Sequence, residues 1–540
     1  MRSTQLQLNA LQLLKFAVQP CGVNQIPEIS VHLFMSNFFN ILQRRMTASS
    51  SRVFMQLDDG SEFSYKQADK LSAQMANKLT SLGLAPGSRI TAQVEKSPQA
   101  VILFLACMRA GFIFHPLNTA YTLHELEYFL EDAKPSVVVC DPSNLDTVRD
   151  LAERHKTPHI ETMGVDGKGT LWESLDNCDG NFKTVWRDRN DTALLIYTSG
   201  TTGKPKGAMI THRNLAFNSH SMVQVWKWEA EDILVHVLPL FHIHGLCFAL
   251  LCPIMCGSRI LFQQRFSVTR TIELLAQATA MMAVPTVYTR LLGDERFNRT
   301  ACANIRIFIS GSAPMLSETF NEIEQRCGHQ IVERYGMSEA QIIASNPIEG
   351  IRRAGTVGTA IPQVHLRVCD ENGSPVPSGQ PGILEVKGPN VFQGYWRNIV
   401  ATQKAIRTDG YFITGDIVTM DDDGIVTIVG RASDLIVSGG FNIYPKEIEI
   451  QLNRIDGISD CAVIGAAHPD LGEGVVAVVV SNTQELGETS VVNALTDTLS
   501  GFKIPKKFVF VDELPTNAMG KVEKNALREQ YKNVFANETD

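Results

Sequence analysis

A polar, glycine-rich segment at residues 197–207 has the composition of a loop that binds a polyphosphate. It contains three glycines, four serine or threonine hydroxyls and two lysines. Glycines let the backbone turn sharply and present N–H groups, hydroxyls donate hydrogen bonds, and lysines supply positive charge. The spacing is not that of a Walker loop, because Pro205 follows Gly203 and Lys204. A different phosphate chemistry is therefore indicated, with an ordinary solvated turn as the alternative.

Four more polar segments, close to the ends of predicted strands, carry residue types that could bind the rest of a nucleotide. They are residues 334–339, 414–416, 438–442 and 515–521. Tyr335 could stack on a base, Glu339 could hold Mg²⁺ together with phosphate oxygens, and Asp416 could accept hydrogen bonds from two ribose hydroxyls. Each residue taken singly is also compatible with an ordinary loop. Their order and combination therefore carry the prediction.

The chain between these segments predicts an α/β fold. Strand and helix signals alternate from residue 53 to about 141, and they continue through strands predicted at 193–196, 233–239, 258–262 and 305–309 and a helix near 272–280. Such alternation favours parallel sheets covered by helices, which bind ligands where strands end. After Tyr335, shorter strands and more turns indicate an appended β subdomain. We predict a large N-terminal domain over residues 35–430 and a small α+β C-terminal domain over 431–540.

Composition and charge favour small-molecule chemistry. The chain has 540 residues, of which 44% are hydrophobic, and a net charge of -8 with Lys and Arg spread along its length. That distribution argues against a nucleic-acid-binding surface. The eleven cysteines are scattered, and the closest pair, Cys252 and Cys256, lies in an apolar run without nearby carboxylates. Buried free thiols are therefore favoured over disulfides or a metal site.

The N-terminal residues and the hydropathy bear on localisation. No apolar run reaches the ~18 residues that a membrane span needs, so we expect no membrane association and a cytoplasmic location. Residues 1–34 have no acid before Glu28 and carry Arg2 and Lys15, which weakly resembles a transit peptide and makes a mitochondrial location the alternative. Because arginines are few, we favour Met35 as the native start and treat residues 1–34 as an extension.

Taken together and in this order, the five motifs resemble those of the adenylate-forming superfamily, which includes acyl-CoA synthetases, peptide-synthetase adenylation domains and luciferases. The resemblance covers the chain from about residue 36 to 530. It implies a large N-terminal domain and a small, mobile C-terminal domain. It also implies that a carboxylate attacks the α-phosphate of ATP to give an acyl-adenylate and pyrophosphate, after which the thiol of CoA takes the acyl group and releases AMP. ATP and CoA are then cosubstrates, and Mg²⁺ is the cofactor.

The resemblance implies roles for individual positions. Those that match the loop holding the β- and γ-phosphates are Thr198, Ser199, Gly200, Thr201, Thr202, Gly203 and Lys206. The positions that match nucleoside-binding residues are Tyr335, Gly336, Asp416 and Arg431. Glu339 matches the Mg²⁺ residue. The positions that match the CoA channel are Ser438, Gly439 and Gly440.

Lys521 matches the lysine that bridges the substrate carboxylate and the α-phosphate in the first step. That step brings an anion onto a polyanion, so a cation at the junction and Mg²⁺ on the phosphates lower the barrier. The family rotates its small domain between steps about a position that is commonly Asp or Lys, and here that position is Ser433. We expect the rotation to persist, because a hinge needs a tolerant backbone rather than one side chain.

A small diacid needs a fixed cation for its distal carboxylate, and Arg can bind it through two hydrogen bonds. The segments 118–122, 240–246, 284–292, 310–314, 334–339 and 345–347 look like those of malonyl-CoA synthetase. That resemblance implies that Arg290, with Ser310 and Gly311, lies at the acid pocket and that His242 lies where the acid and CoA channels meet. By pattern alone, Arg290 could equally be a surface residue, and His242 with His244 lacks the third ligand of a metal site.

The resemblance therefore implies an AMP-forming malonate–CoA ligase, with methylmalonate as the nearest alternative diacid, and we expect a monomer or a homodimer. Two other functions stay open. One is the activation of a different short, medium-chain or aromatic carboxylate by the same chemistry. The other is a stand-alone adenylation enzyme that loads a carrier protein.

Overall fold

Four β-sheets form the framework of the protein in this computed structural model. The structure describes residues 36–198, 205–483, 486–496, 498–517 and 521–536. The strands are β1 (Val53–Leu57), β2 (Glu62–Ser64), β3 (Arg89–Gln93), β4 (Ile113–Pro116), β5 (Val137–Cys140), β6 (His159–Thr162), β7 (Thr192–Thr198), β8 (Lys206–Thr211), β9 (Ile233–His236), β10 (Arg259–Phe262), β11 (Ala280–Ala283), β12 (Ile307–Ser310), β13 (Val332–Met337), β14 (Gln341–Ser345), β15 (Thr359–Ala360), β16 (His365–Cys369), β17 (Gly382–Lys387), β18 (Phe412–Met420), β19 (Val426–Arg431), β20 (Ile436–Ser438), β21 (Phe441–Ile443), β22 (Ile458–His468), β23 (Gly472–Ser481) and β24 (Lys507–Val511). The α-helices are α1 (Phe39–Ala48), α2 (Tyr65–Ser81), α3 (Pro98–Arg109), α4 (Leu123–Ala133), α5 (Leu145–Arg154), α6 (Thr170–Glu173), α7 (His212–Val225), α8 (Ala249–Cys256), α9 (Val268–Leu275), α10 (Pro285–Leu292), α11 (Ser317–Cys327), α12 (Ile399–Ala405), α13 (Pro445–Leu452), α14 (Glu488–Thr496) and α15 (Lys524–Tyr531).

Two large sheets build the N-terminal part of the chain. One has the order β6-β5-β3-β4-β7-β8 and is parallel except at β7/β8. The other has the order β15-β14-β13-β12-β11-β9-β10-β1-β2 and is parallel from β13 through β1. Strands β5, β11 and β12 are buried along their whole length, as expected where helices cover both faces of a parallel sheet. The predicted α/β architecture is confirmed.

Two smaller sheets follow. Strands β16–β19 form an antiparallel sheet, which is the predicted β subdomain. The C-terminal sheet has the order β21-β20-β23-β22, with β24 parallel to β23, and α13 and α15 pack on β22. The sequence predicts a helix over residues 445–452 and a strand over residues 507–511, and helix α13 and strand β24 have these bounds. The chain leaves β19 at Arg431, and the domain boundary at residues 430/431 stays a prediction.

Two elements differ from the sequence prediction. The helix expected near residues 272–280 ends at Leu275, and Ala280 begins strand β11. Alanine and methionine favour helix locally, but β11 lies between β9 and β12, where parallel pairing on both sides outweighs that preference. The sequence also predicts that a helix begins at residues 214–216, after the glycine-rich loop. Strand β8, which pairs with β7, lies between the loop and the helix, and α7 begins at His212.

The cysteines and the helices agree with the composition. The ten cysteines in the described part of the chain are free thiols, and most of them are buried. None of the helices in that part is long and apolar enough to cross a membrane.

Candidate active site

The phosphate-loop candidate connects strands β7 and β8 in the sequence. Thr198 ends β7 and pairs with Lys206 at the start of β8. Residues Ser199, Gly200, Thr201, Thr202 and Gly203 lie outside the described residues. The Nζ atom of Lys206 lies 4.9 Å from the centroid of the Tyr395 ring. The two described ends of the loop thus meet at one edge of the sheet.

Glu339 joins this edge from the turn between β13 and β14. Its carboxylate oxygen Oε1 accepts hydrogen bonds from the Thr198 hydroxyl at 3.1 Å and the Tyr395 hydroxyl at 3.0 Å. The residue is only 5% exposed. A buried carboxylate therefore lies directly beside the proposed phosphate loop.

Three residues form a hydrogen-bonded chain on the nucleoside side. The Tyr335 hydroxyl donates to Oδ2 of Asp416, and the Nε of Arg431 lies 3.0 Å from Oδ1 of the same carboxylate. Gly336 follows Tyr335, and a β-carbon there would lie 2.0 Å from the carbonyl oxygen of Gln341. Only glycine fits this close approach of two strands, so Tyr335 is held in a fixed place beside Asp416.

Lys521 comes from the C-terminal domain and faces the same group. Desolvation by the surrounding protein, together with the positive charge of Arg431, lowers the pKa of Lys521 to about 8. The Asp416 carboxylate opposes this shift. Residue 521 remains exposed to solvent. The structure therefore places the predicted catalytic lysine at the ribose-side residues.

His242 belongs to the N-terminal part of the chain and feels the charge of Lys521 from the C-terminal part. Burial, and then the charges of Lys521 and Arg334, lower its pKa to about 3, so the imidazole is neutral at physiological pH. The following residues His244–Phe248 form a π-helical turn, a geometry often found at functional sites. His244 is fully buried and its Nδ1 lies 3.2 Å from the Ser312 hydroxyl.

Arg334 is the functional candidate that the sequence analysis did not assign. It lies on β13, is 4% exposed, and its guanidinium lies 5.5 Å from the centroid of the Phe248 ring. Its Nε has no hydrogen-bond partner among the described residues, and burial lowers the pKa of Arg334 to about 9. The available sequence signal was two adjacent charged residues, Glu333 and Arg334, inside an otherwise apolar strand.

The predicted acid-pocket residues lie in two different environments. Ser310 and Gly311 adjoin Arg334: the Ser310 hydroxyl is buried without a partner among the described residues, and a β-carbon at Gly311 would overlap the Arg334 side chain. Arg290 is exposed on the last turn of α10. The buried guanidinium that faces His242 and Lys521 is that of Arg334.

The predicted CoA-channel residues lie on the β20/β21 hairpin of the small domain. Ser438 is buried, whereas Gly439 and Gly440 are exposed at its turn and adopt positive φ angles of 57° and 80°. Such angles favour glycine. A cavity of about 480 Å³ on the N-terminal domain adjoins Leu240 and Phe241, immediately before His242. Its lining includes residues at the carboxyl ends of β3, β4 and β9.

Comparisons with known proteins show the family of this chain. Sequence profiles of the AMP-binding enzyme family match residues 42–396, and those of its C-terminal domain match residues 447–521. The chain belongs to the AMP-binding enzyme family. This AMP-binding enzyme is an acyl-CoA ligase, for which ATP and CoA are the fitting cosubstrates.

One solved structure covers nearly all of this AMP-binding enzyme. ATP-bound MatB from Rhodopseudomonas palustris is 44% identical, with a TM-score of 0.90, over 92% of this chain and 99% of the MatB chain. The apo form of the same MatB gives a TM-score of 0.79. The arrangement of this chain is therefore more similar to that of the ATP-bound form.

Curated relatives of this AMP-binding enzyme act on different acids. The mitochondrial malonate–CoA ligase ACSF3 of Mus musculus is 35% identical over 467 residues, covering 80% of this chain and 79% of the relative. Feruloyl-CoA synthase of an Amycolatopsis species is 32% identical over 479 residues, covering 87% of this chain and 94% of the relative. Identity alone therefore does not select the acid.

Proposed function

We propose that this acyl-CoA ligase makes malonyl-CoA from malonate, ATP and CoA, with release of AMP and pyrophosphate, and that methylmalonate is its nearest alternative substrate. The single observation that carries the choice of acid is the buried guanidinium of Arg334, whose Nε has no hydrogen-bond partner among the described residues. A malonate–CoA ligase among the relatives supports the same choice.

The buried charge of Arg334 favours an anionic group on the substrate. Burying a charge without a partner costs several kcal/mol, and an anion that pairs with it recovers much of that cost. The charges of both Arg334 and Lys521 lower the pKa of His242, so both cations act on the surroundings of this side chain. A diacid can place one carboxylate at each cation. A monoacid with an apolar tail would leave Arg334 unpaired, which the site should reject.

We therefore propose that Arg334, rather than Arg290, binds the distal carboxylate of the acid. Three neutral groups could complete it by donating or accepting hydrogen bonds: the hydroxyls of Ser310 and Ser312 and the imidazole of His244. The Nε2 atom of His244 and the hydroxyl of Ser310 are buried without partners among the described residues. These polar groups fit the oxygens of a carboxylate that docks on the guanidinium.

A Mg²⁺ ion that arrives with ATP fits the carboxylate of Glu339. Mg²⁺ commonly takes one or two carboxylates together with phosphate oxygens and waters. In the described part of the chain, no group of three or more His, Cys, Asp or Glu side chains could hold a metal without the nucleotide. When bound, the ion would neutralise charge on the phosphates, and Glu339 beside Thr198 is the residue that would hold it.

In the proposed first step, a carboxylate oxygen of malonate forms a bond to the α-phosphorus and the bond to pyrophosphate breaks. Asp416 would hold the ribose hydroxyls, and Lys206 would contact the departing phosphates. Lys521 would bridge the attacking carboxylate and the α-phosphate, which reduces repulsion between two anions. Its position beside Asp416 and Arg431 supports this role.

In the proposed second step, the small domain rotates about Ser433 and brings the turn at Gly439 and Gly440 toward His242. The thiolate of CoA attacks the acyl carbon, the C–S bond forms, and AMP leaves with the oxygen of the former carboxylate. The cavity lined by Phe241 suits the pantetheine arm of CoA, since Phe241 immediately precedes His242 in the chain. A neutral His242 can accept the thiol proton.

The test is the release of pyrophosphate and AMP with malonate, methylmalonate, acetate and octanoate, each with and without CoA. We expect malonate to give the highest kcat/KM and CoA to be required for turnover. A preference for octanoate or an aromatic acid would overturn the choice of diacid but leave the adenylation chemistry intact. Turnover with a carrier protein in place of CoA would support the loading function instead.

A further inference from the structure

A segment far along the chain pairs with strand β8, which follows the phosphate loop. The residues from Gln393 to Trp396 pair with strand β8 through three backbone hydrogen bonds: Met209 N–H donates to Gly394 O at 3.0 Å, Gln393 N–H to Met209 O at 3.1 Å, and Trp396 N–H to Gly207 O at 2.7 Å. Strand β8 begins with Lys206. This pairing fixes the distant segment directly beside the strand that carries the loop's lysine.

The same segment is tied to the other end of the loop through Asp132 on α4. The carboxylate of Asp132 accepts a hydrogen bond from the hydroxyl of Tyr197, the residue before Thr198. The carbonyl of Asp132 accepts one from the Trp396 indole at 3.1 Å. Both strands of the hairpin and the distant segment are therefore joined in one hydrogen-bonded framework.

Tyr395 lies at the centre of this framework and makes two contacts of different kinds. Its hydroxyl donates to Glu339 Oε1 at 3.0 Å, and its ring lies 4.9 Å from the ammonium of Lys206. It is 8% exposed. A single side chain thus touches both the carboxylate beside the loop and the cation on the loop.

The position of the Tyr395 side chain is itself fixed. Its backbone N–H donates to the Thr402 hydroxyl at 2.9 Å, and its ring packs edge-on against Phe392 with the centroids 4.9 Å apart. The N–H of Phe392 in turn donates to the backbone carbonyl of Glu339 at 2.7 Å. Both the backbone and the side chain of Glu339 are consequently oriented by the residues around Tyr395.

We propose that Tyr395 is a positioning residue for Mg²⁺ and ATP: it orients the carboxylate of Glu339 for the ion and holds Lys206 toward the phosphates. Among the described residues, Tyr395 and Thr198 donate to the same oxygen, Oε1, which leaves Oε2 of Glu339 for a cation. The ring supplies a negative face to the Lys206 ammonium, so it limits where that charge can go. This inference rests on the proposed ATP and Mg²⁺ site and is independent of which acid is activated.

Two variants separate the two contacts. Tyr395→Phe keeps the ring and removes the hydroxyl, whereas Tyr395→Leu removes both. Glu339→Gln serves as the reference for a lost Mg²⁺ ligand. Tyr411→Phe is the matched control, because the Tyr411 ring also lies near two cations, 3.9 Å from Arg367 and 5.6 Å from Lys387, but in the β subdomain.

The measurement is ATP affinity by calorimetry, with Mg²⁺ and with a chelator, on the full chain. In Tyr395→Phe we expect the gain in affinity that Mg²⁺ gives to fall about tenfold, the range for a hydrogen bond to a charged group. Affinity without Mg²⁺ should stay within about twofold of wild type, because the ring contact remains. Tyr395→Leu should also lose about two- to fivefold without Mg²⁺, because Lys206 loses the ring. Tyr411→Phe should match the wild type in both conditions.

A further readout separates positioning from general damage. Thioester formation from supplied acyl-adenylate and CoA uses neither Mg²⁺ nor pyrophosphate, so Tyr395→Phe should leave that rate unchanged. Equal loss of ATP affinity with and without Mg²⁺, together with slower thioester formation, would show a merely structural role and overturn the inference.

Two outcomes distinguish failure of the inference from failure of the proposed site. If Mg²⁺ no longer increases ATP affinity in Glu339→Gln but still does so in Tyr395→Phe, the proposed role of Tyr395 is wrong and the proposed Mg²⁺ site stands. If Mg²⁺ does not increase the ATP affinity of the wild type, or still increases that of Glu339→Gln, the proposed Mg²⁺ residue is wrong. The proposed role of Tyr395 is then wrong as well.

Discussion

The side chain of Arg334 crosses so close to Gly311 that a β-carbon at residue 311 would lie 2.5 Å from both Nε and Cζ of the arginine. Gly311 therefore provides the space in which the guanidinium lies. Both residues come from neighbouring parallel strands of the larger sheet, since Gly311 follows β12 and Arg334 belongs to β13.

Substitution of Gly311 by Ala should displace the guanidinium of Arg334. We expect KM for malonate to rise by about tenfold or more, because a charge-assisted hydrogen bond to the distal carboxylate is lost or lengthened. Steady-state kinetics with malonate and acetate measure the effect. Gly487→Ala is the matched control, because a β-carbon there meets nothing within 4 Å. Unchanged malonate kinetics in Gly311→Ala would contradict the proposed position of the distal carboxylate.

Arg334→Gln should change acid preference more than it changes overall activity. Removing one partner of a buried charge pair costs about 2–5 kcal/mol, so kcat/KM for malonate should fall by about 10² or more while that for acetate changes little. Arg290→Ala is the companion variant, and we expect it to retain malonate activity because its side chain is exposed. If Arg290→Ala lost malonate activity selectively and Arg334→Gln did not, the acid pocket would lie at α10.

Adenylate formation should weaken above pH 8. The pKa of Lys521 is lowered to about 8, chiefly by desolvation and then by the charge of Arg431, so its protonated fraction falls as pH rises through that value. The protonated form is the one that can bridge two anions. The pKa of His242 is about 3, so its charge should not change between pH 6.5 and 8. The dependence of kcat/KM on pH reports the free enzyme. Pyrophosphate release that stays level to pH 9.5 would contradict this role of Lys521.

Lys521→Ala should separate the two half-reactions. Loss of one charge that acts in the transition state typically costs about 10² to 10³ in rate, so adenylate formation should fall by that factor. Thioester formation from supplied malonyl-adenylate and CoA should be largely spared, since the proposed rotation of the small domain would by then have moved Lys521 away. Rapid-quench assays of each half-reaction provide the measurement. Equal damage to both would mean that Lys521 supports the fold rather than the first step.

Much of the fold could be predicted from the sequence, because its local signals agree with the tertiary packing. Helix α13 begins at Pro445 and has an apolar face, and strand β24 is β-branched and aromatic, so both bounds were correct. The end of α9 was missed because pairing with two neighbouring strands decides the state of residues 280–283. Pairing between strands that are distant in the chain cannot be predicted from the local sequence.

The site was predictable where the residues lie in ordered motifs and not where tertiary structure creates the environment. Asp416, Arg431 and Lys521 were assigned by resemblance, and the structure brings them together. Their roles stay predictions. Arg334 stands inside a recognised motif, but its burial without an ion-pair partner among the described residues is visible only in three dimensions. Tyr395 lies about 190 residues beyond Lys206 in the chain, so no spacing pattern could have joined them.

The most direct test of the account is the fate of the carboxylate oxygens during turnover. Malonate labelled with ¹⁸O in its carboxylates, incubated with ATP and CoA, should yield malonyl-CoA and AMP that carries one labelled oxygen on its phosphate, while the pyrophosphate stays unlabelled. Attack of the carboxylate on the α-phosphorus and later departure of AMP require this transfer. Unlabelled AMP, label in another phosphate product, or the absence of malonyl-CoA under conditions where another acid is activated would contradict the account.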